Sequence, residues 1–316
     1  MLPVELVQLI ALRCVAGPRD HEQIISLSHV CRSWRSAILG LSELFVSANW
    51  DRWHHELLEI WCERAGSRPL SIHLHDSKMF EASREDKPVS AIVLLSNLSR
   101  CTTLCIKFVV GGSDRFGPLF YDFLHTPMPL LVNLTIHERK PHATSMWPPT
   151  VDIYASRMPN LRVLDIYGLS LKSYRPLATV TDVKCSIMTY LDTGWQAMMK
   201  SLPNLEILSL SLFRTMFSRT RIFGGKLVLP SLKVLELAYV DSGPQSDDHT
   251  ALVEWLDLPM LETVVLRDVA RWSSGDRGSY IVHYLVRIFM TYFRLRVLIS
   301  RKVKKVPDRK MFAHRE

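Results

Sequence analysis

The sequence predicts an α/β repeat fold: three helices at the N-terminus, then an irregular array with a parallel sheet on its concave face and helices on its convex face. Two observations predict it. Apolar residues recur at helical spacing within the first fifty residues. Later, a short unit with leucines at its first, fourth and sixth positions recurs about every 30 residues, which is typical of stacked strand-and-helix repeats. The 316 residues are 47% hydrophobic and 22% charged, so the chain can bury such a core.

The N-terminal helices have recognisable start and stop signals. Pro3 suits the first turn of a helix because its φ angle is fixed, and Gly17 ends that helix. Asp20 followed by Gln23 resembles a capping box that opens a second helix. A third helix is expected to end at Gly40. These signals predict three short helices in one small module.

The chain divides into four segments. Residues 1–46 carry the helical module, and residues 47–68 form a linker helix whose apolar stripe runs through 51–65. Residues 69–300 hold the repeats. Residues 301–316 form a tail with seven Lys or Arg against two acidic residues, so most of the net charge of +8 lies there. We therefore expect no nucleic-acid partner for the body of the chain, while the tail could be a localisation signal, a phosphate-contacting arm or a solubilising end.

The repeated unit is the L-x-x-L-x-L signature of leucine-rich repeats. Its clearest copies are residues 161–166, 205–210, 232–237 and 261–266, each two residues after a proline. The prolines are spaced by 27 to 30 residues, except for one interval of 44 that splits in two if Pro176 starts a degenerate unit at 180–185. Weaker copies are residues 104–106, 131–136 and 295–298, and 70–74 is the expected first strand. We expect eight or nine strands, each followed by a helix.

The same register assigns the two faces of the sheet. Leucines of the unit point inward, and the residues between them point to the concave face. The predicted target-binding residues are therefore Lys107, His137, Asp165, Tyr167, Ser209, Glu236 and Arg267. Regular repeats place a buried Asn three positions after the last leucine, where this chain has Leu169, Phe213, Val240 and Val269. The array should therefore be irregular.

The N-terminal residues resemble a known family. Residues 2–6 read Leu-Pro-Val-Glu-Leu, residues 27–35 read Leu-Ser-His-Val-Cys-Arg-Ser-Trp-Arg, and residues 44–45 read Leu-Phe. This pattern resembles an F-box, with Phe45 where that family often has Trp. Joined to degenerate repeats, it resembles the expanded F-box families of mushroom-forming fungi.

The resemblance implies a function. F-box modules dock on the Skp-type adaptor of SCF ubiquitin ligases and, through it, on a cullin-RING ligase. The adaptor-binding residues carried over from the match are Leu2, Pro3, Leu6, Leu27, Val30, Cys31 and Trp34. For Trp34 alone, a core-filling role is the simpler interpretation. A module this small cannot bury all its apolar residues internally, which favours a partner.

The glycines and histidines of the chain do not form a known catalytic or cofactor-binding motif. The glycine pairs at 111–112 and 224–225 satisfy neither a dinucleotide fingerprint nor a P-loop. His73 and His75 alternate on a predicted strand beside Asp76, and two imidazoles on one face can ligate a metal, but both fall on the solvent face of that strand. We therefore expect a non-catalytic protein that binds no metal or cofactor.

The sequence also bears on cellular location. Six cysteines without a Cys-x-x-Cys pair are typical of reduced thiols. Charged residues interrupt the apolar N-terminus, and no apolar stretch is long enough to span a bilayer. The expected location is cytoplasmic, nuclear or both.

The expected function is that of a substrate-recognition subunit of an SCF-type E3 ubiquitin ligase. Three alternatives stay open at this level: a repeat scaffold of the same fold that does not engage a ligase, a nucleic-acid binder acting through the tail, and an enzyme without a recognisable motif. Adaptor binding, salt dependence and catalytic residues would distinguish them.

Overall fold

The computed structural model describes residues 2–15, 20–50, 55–74, 89–108, 118–138, 150–168, 170–173, 175–187, 193–212, 226–239, 256–267 and 296–300. Within them the chain is a mixed helix and strand protein built on a long parallel sheet. The basic tail, His75 and the four positions of the missing Asn lie outside the described residues.

Three helices lie where the sequence predicts them: α1 (Val4–Cys14), α2 (Asp20–Ser28) and α3 (Arg32–Leu39). Helix α1 starts directly after Pro3, and Gly40 closes α3 with its N–H bonded to the Ser36 carbonyl. The helices pack on one another through small and aliphatic side chains. The buried set is Val7, Ala11, Ile24, Ala37 and Ile38.

The segment predicted as a linker helix contains a strand as well. Strand β1 (Ser47–Trp50) precedes helix α4 (His55–Arg64) and pairs in parallel with β2 (Leu70–Leu74). Residues 70–74 therefore form the second strand, and the prediction that they form the first is wrong. Gly66, two residues after the end of α4, adopts a φ of 60°, in the left-handed region that glycine enters without strain.

The remaining strands are β3 (Cys101–Phe108), β4 (Asn133–Glu138), β5 (Thr150–Ile153), β6 (Val163–Tyr167), β7 (Ser170–Ser173), β8 (Asp182–Ile187), β9 (Ile207–Leu212), β10 (Leu227–Val228), β11 (Val234–Tyr239), β12 (Leu256–Asp257), β13 (Thr263–Arg267) and β14 (Arg296–Ser300). Within the part of the chain that the structure describes, ten of the fourteen strands, β1 and β2 included, form one sheet in the order β1-β2-β3-β4-β6-β8-β9-β11-β13-β14. Every pairing is parallel, and spatial order follows chain order.

Two cross-strand rows of apolar side chains form the core side of this sheet. In one row Leu208 pairs with Leu235, and in the next Leu210 pairs with Leu237. All four are at most 1% exposed. The residues between them, such as Ser209, are half-buried on the opposite face. The inward and outward register predicted from the leucine pattern is confirmed for these strands.

A turn of the same kind directly precedes six of the strands. In each, the N–H of an apolar residue bonds to the carbonyl three residues earlier, and the turn's second residue is usually proline. The bonded pairs are Leu131 to Met128, Leu161 to Met158, Val180 to Leu177, Leu205 to Leu202, Leu232 to Leu229 and Leu261 to Leu258. In the degenerate unit the proline position is taken by Ala178 rather than Pro176, so its start is shifted from the predicted one.

Neighbouring units are also joined side by side below the strands. The side-chain amide of Asn160 donates to the Pro129 carbonyl at 2.7 Å, and that of Asn204 donates to the Ala178 carbonyl at 2.8 Å. Ser231 makes the equivalent bond to the Pro203 carbonyl at 3.1 Å. A polar residue directly after the turn's second position thus links each of these units to the one before it.

A second layer accompanies the sheet. It includes helices α5 (Val89–Asn97), α6 (Pro118–His125) and α7 (Thr193–Lys200) and the parallel strand pairs β5–β7 and β10–β12. Within this layer α6 contacts β5, and α7 contacts both β7 and β10. The prediction of a helix after each strand is wrong for the unit between β6 and β8, where the described residues form the short strand β7 instead. Among the described residues, no helix is long and apolar enough to cross a membrane.

Candidate functional site

The outward face of the sheet holds a depression of about 280 Å³. Six of the seven residues predicted for target binding line it: His137, Asp165, Tyr167, Ser209, Glu236 and Arg267. The seventh, Lys107, lies beside it on β3, where it pairs with His137 of β4. The alternation along the strands was enough to bring these positions together.

Two cross-strand rows position the side chains. One row runs through Asp165, Lys184, Ser209 and Glu236 on β6, β8, β9 and β11. The row nearer the carboxyl ends of the strands includes His137, Tyr167, Ser211, Ala238 and Arg267. Small side chains on β9 and β11 leave room between the larger ones on either side, which explains the depression.

His137 and Asp165 form one fixed pair at the rim. Nε2 of His137 lies 2.9 Å from Oδ1 of Asp165, and both side chains are about 30% exposed. The His137 ring also lies 5.8 Å from the ring of Tyr167. Burial raises the pKa of Tyr167, so its phenol is a neutral hydroxyl at physiological pH.

Glu236 lies at the opposite end of the depression from His137, and two side chains hydrogen-bond to its carboxylate. Ser209 Oγ donates to one carboxylate oxygen at 2.8 Å, and Arg267 Nη2 donates to the other at 2.9 Å. Burial alone would raise the pKa of Glu236, but the hydrogen bonds from Arg267 and Ser209, with the charges of Arg267 and Lys184, outweigh it and lower the pKa. Glu236 is therefore an ionised and largely satisfied carboxylate.

Lys184 was missed by the sequence analysis, although it lies between Asp165 and Ser209 in the same row. Its side chain is exposed and makes no hydrogen bond or ion pair among the described residues. The signal was available: Lys184 stands between the buried Val183 and Cys185, at the position that Ser209 occupies in the next unit.

Asp182 lies two residues before Lys184 on β8 and is half-buried. Burial raises its pKa, the charge of Lys184 acts against this, and the carboxylates of Glu236 and Asp165 add to it. Its Oδ1 atom is buried and has no hydrogen-bond partner within the described structure. Ionised Asp182 therefore costs the folded state free energy.

Asp182→Asn is expected to stabilise the protein near pH 7, with a gain that shrinks as the pH falls to about 3. A raised folded pKa, against the ordinary 3.8, means that the folded state binds a proton more readily than the unfolded chain, so wild-type stability falls as Asp182 ionises. Urea midpoints at both pH values measure the effect. Glu236→Gln is the control and should destabilise the protein near pH 7. The pKa of Glu236 is lowered in the folded state, so its ionised carboxylate stabilises the fold at pH values above the ordinary pKa of 4.5. A pH-independent gain in Asp182→Asn would refute the explanation.

The N-terminal module presents a different surface. Among the predicted adaptor residues, Leu2, Leu6 and Val30 are 49%, 46% and 60% exposed, and Pro3 and Cys31 are also exposed. Leu27 and Trp34 are partly buried against the core, so only part of each is available to a partner. Further exposed apolar residues that the prediction did not include are Val4, Leu9, Ile10, Leu12 and Ile25.

Metal-ligating and nucleophilic side chains are the first candidates for chemistry in the described residues. No group of three or more His, Cys, Asp or Glu there could hold a metal ion. The buried Cys101 thiol has a pKa of about 12, mainly because burial disfavours its thiolate, so it is a poor nucleophile. His73, beside Ser71 at 2.9 Å, lies on the outward face as predicted, since Ile72 and Leu74 are buried.

Comparison with known proteins adds no relative. No protein-family model matches the chain. No curated protein matches it significantly. The two surfaces described above are therefore the basis on which a function can be inferred for the chain.

Proposed function

We propose that the chain is the substrate-recognition subunit of an SCF-type E3 ubiquitin ligase. In this role the N-terminal helices bind a Skp-type adaptor, and the outward face of the sheet binds a target protein. The observation that carries the proposal is the exposed apolar surface of α1. This surface lies within the segment that resembles an F-box.

That surface is larger than a small helix needs for its own fold. Helix α1 buries Val7 and Ala11, whereas Leu6, Leu9 and Ile10 on its far side are 37% to 52% exposed. Burying one large aliphatic side chain contributes about 1.5 to 3 kcal/mol, so several such residues on one surface favour a bound partner.

The second surface is suited to the other half of the role. The outward sheet face is polar, carries the depression, and lies on strands that follow the helical module along the chain. A protein that holds a target near a charged E2 enzyme raises its effective concentration, and no group on this chain has to react. The lack of a catalytic motif is compatible with this mechanism.

The direct test is co-purification with a Skp-type adaptor. Leu6→Asp is expected to weaken adaptor binding at least 100-fold, because a charge buried in an apolar contact costs several kcal/mol. Leu6 is 46% exposed, so the variant should keep its fold, which circular dichroism checks. Ile92→Asp is the matched control, since Ile92 is 54% exposed on α5, away from the helical module.

Two results would contradict the proposal. A folded wild-type protein that fails to bind the adaptor would favour a scaffold outside any ligase. Equal binding by wild type and Leu6→Asp would show that the apolar surface of α1 is not the docking surface.

A further inference from the structure

Three cations on the outward sheet face are evenly spaced. Lys107 lies on β3, Lys184 on β8 and Arg267 on β13. In the order β3-β4-β6-β8-β9-β11-β13, each is three strands from the next. At about 4.8 Å between neighbouring strands, each step is about 14 Å across the strands. Lys184 lies two residues nearer the amino ends of the strands than Lys107 and Arg267, so successive cations are about 16 Å apart.

The carboxylates nearby do not cancel these charges equally. Asp165 is paired with His137, and Glu236 is paired with Arg267 and Ser209. Lys107 and Lys184 make no ion pair among the described residues, and the Arg267 side chain stays 55% exposed beside its single bond to Glu236. Among the described residues of this face, the charged groups that still have hydrogen-bond donors for a ligand are therefore the cations Lys107, Lys184 and Arg267.

We propose that the target segment bound by this face is an extended acidic peptide. It would lie across the strands, with Asp or Glu side chains about four or five residues apart meeting Lys107, Lys184 and Arg267. This inference names the class of target for the proposed function and depends on it.

The spacing follows from chain geometry. An extended peptide advances about 3.3 to 3.6 Å per residue, so four or five residues cover the roughly 16 Å between successive cations. Between Lys184 and Arg267 the segment would pass over the depression, whose floor has the small side chains of Ser209, Ser211 and Ala238. The hydroxyls there can bond to the peptide backbone.

A basic peptide fits this surface less well. Two of the carboxylates near Lys184 already have partners: the His137 ring for Asp165, and Ser209 with Arg267 for Glu236. The third, Asp182, has its unpartnered oxygen buried, so a side chain entering from solvent cannot reach it without a rearrangement. Charge complementarity therefore favours the acidic segment.

Fluorescence anisotropy on the full chain can test this, using a labelled twelve-residue peptide with Glu at every fourth position among Ser and Gly. We expect saturable binding that weakens as salt increases. Lys184→Glu should weaken it at least tenfold. Lys200→Glu, the same charge change on exposed Lys200 of α7 in the second layer, should alter it less than twofold.

The remaining outcomes overturn the inference. For the peptides, they are no binding at all, tighter binding of a peptide with Lys in place of each Glu, equal binding of a peptide whose Glu residues are contiguous, and tenfold tighter binding of a peptide with phosphoserine in place of each Glu. For the variants, the contradicting result is an equal loss of binding in Lys184→Glu and Lys200→Glu. Adaptor co-purification separates the two proposals. The Lys184→Glu variant should bind the adaptor as well as the wild type does. Loss of adaptor binding in this variant would contradict the proposed function and not the inference of an acidic peptide.

Discussion

Leu208→Ala or Leu235→Ala is expected to lower the free energy of unfolding by about 2 to 5 kcal/mol. Both side chains are 0% exposed and pair in register on β9 and β11. Each replacement removes buried methyl groups and leaves a cavity that neighbouring repeats, fixed by their ladder of hydrogen bonds, fill only in part. Urea denaturation followed by circular dichroism measures the loss.

The adjacent outward residues provide the matched controls. Ser209→Ala removes one half-exposed hydrogen bond to Glu236, and the expected loss is about 0.5 to 1 kcal/mol. Glu236→Ala removes that bond and the ion pair with Arg267, whose side chain is exposed, so its loss should also be far below that of the leucine variants. Similar losses at all four positions would show that the register of the sheet is wrong.

The register was predictable because burial alternates strictly along these strands. A slip by one residue would place Leu208 and Leu210 in solvent and Ser209 in the core, so the pattern admits one solution. The same regularity placed six predicted residues around one depression. It could not reveal the pairs His137–Asp165 and Arg267–Glu236, because each joins residues about 30 positions apart whose side-chain rotamers depend on cross-strand neighbours.

The missed elements have physical explanations. The edge strand β1 reads Ser-Ala-Asn-Trp and lacks the leucine spacing, since it follows the helical module rather than a repeat. Between Tyr167 and Asp182 only fourteen residues connect β6 to β8, and they include strand β7 and a turn, which leaves little length for a helix. Ala178 could replace proline there because the turn needs an ordinary φ at that position, which alanine also adopts.

The junction between the helical module and the sheet supports the last prediction. Phe45 is 2% exposed, and its ring meets Trp61 of α4 edge to face with centroids 4.8 Å apart. Arg64 stacks over Phe45 at 5.7 Å and donates to the Leu39 carbonyl at 3.1 Å. The Trp61 indole donates to the Ser47 carbonyl at 3.0 Å, which ties α4 to β1.

Phe45→Ala is therefore expected to destabilise the protein by about 3 to 5 kcal/mol, the cost of removing a buried aromatic ring. It should also weaken adaptor binding in the co-purification, because the variant loses the contact that holds the helical module against α4. Ile60→Ala is the control, since Ile60 is one residue from Trp61 but 44% exposed, and its loss should stay within about 0.5 kcal/mol. Urea denaturation followed by tryptophan fluorescence compares them. Equal losses in the two variants would mean that the Phe45 ring does not join the module to the sheet.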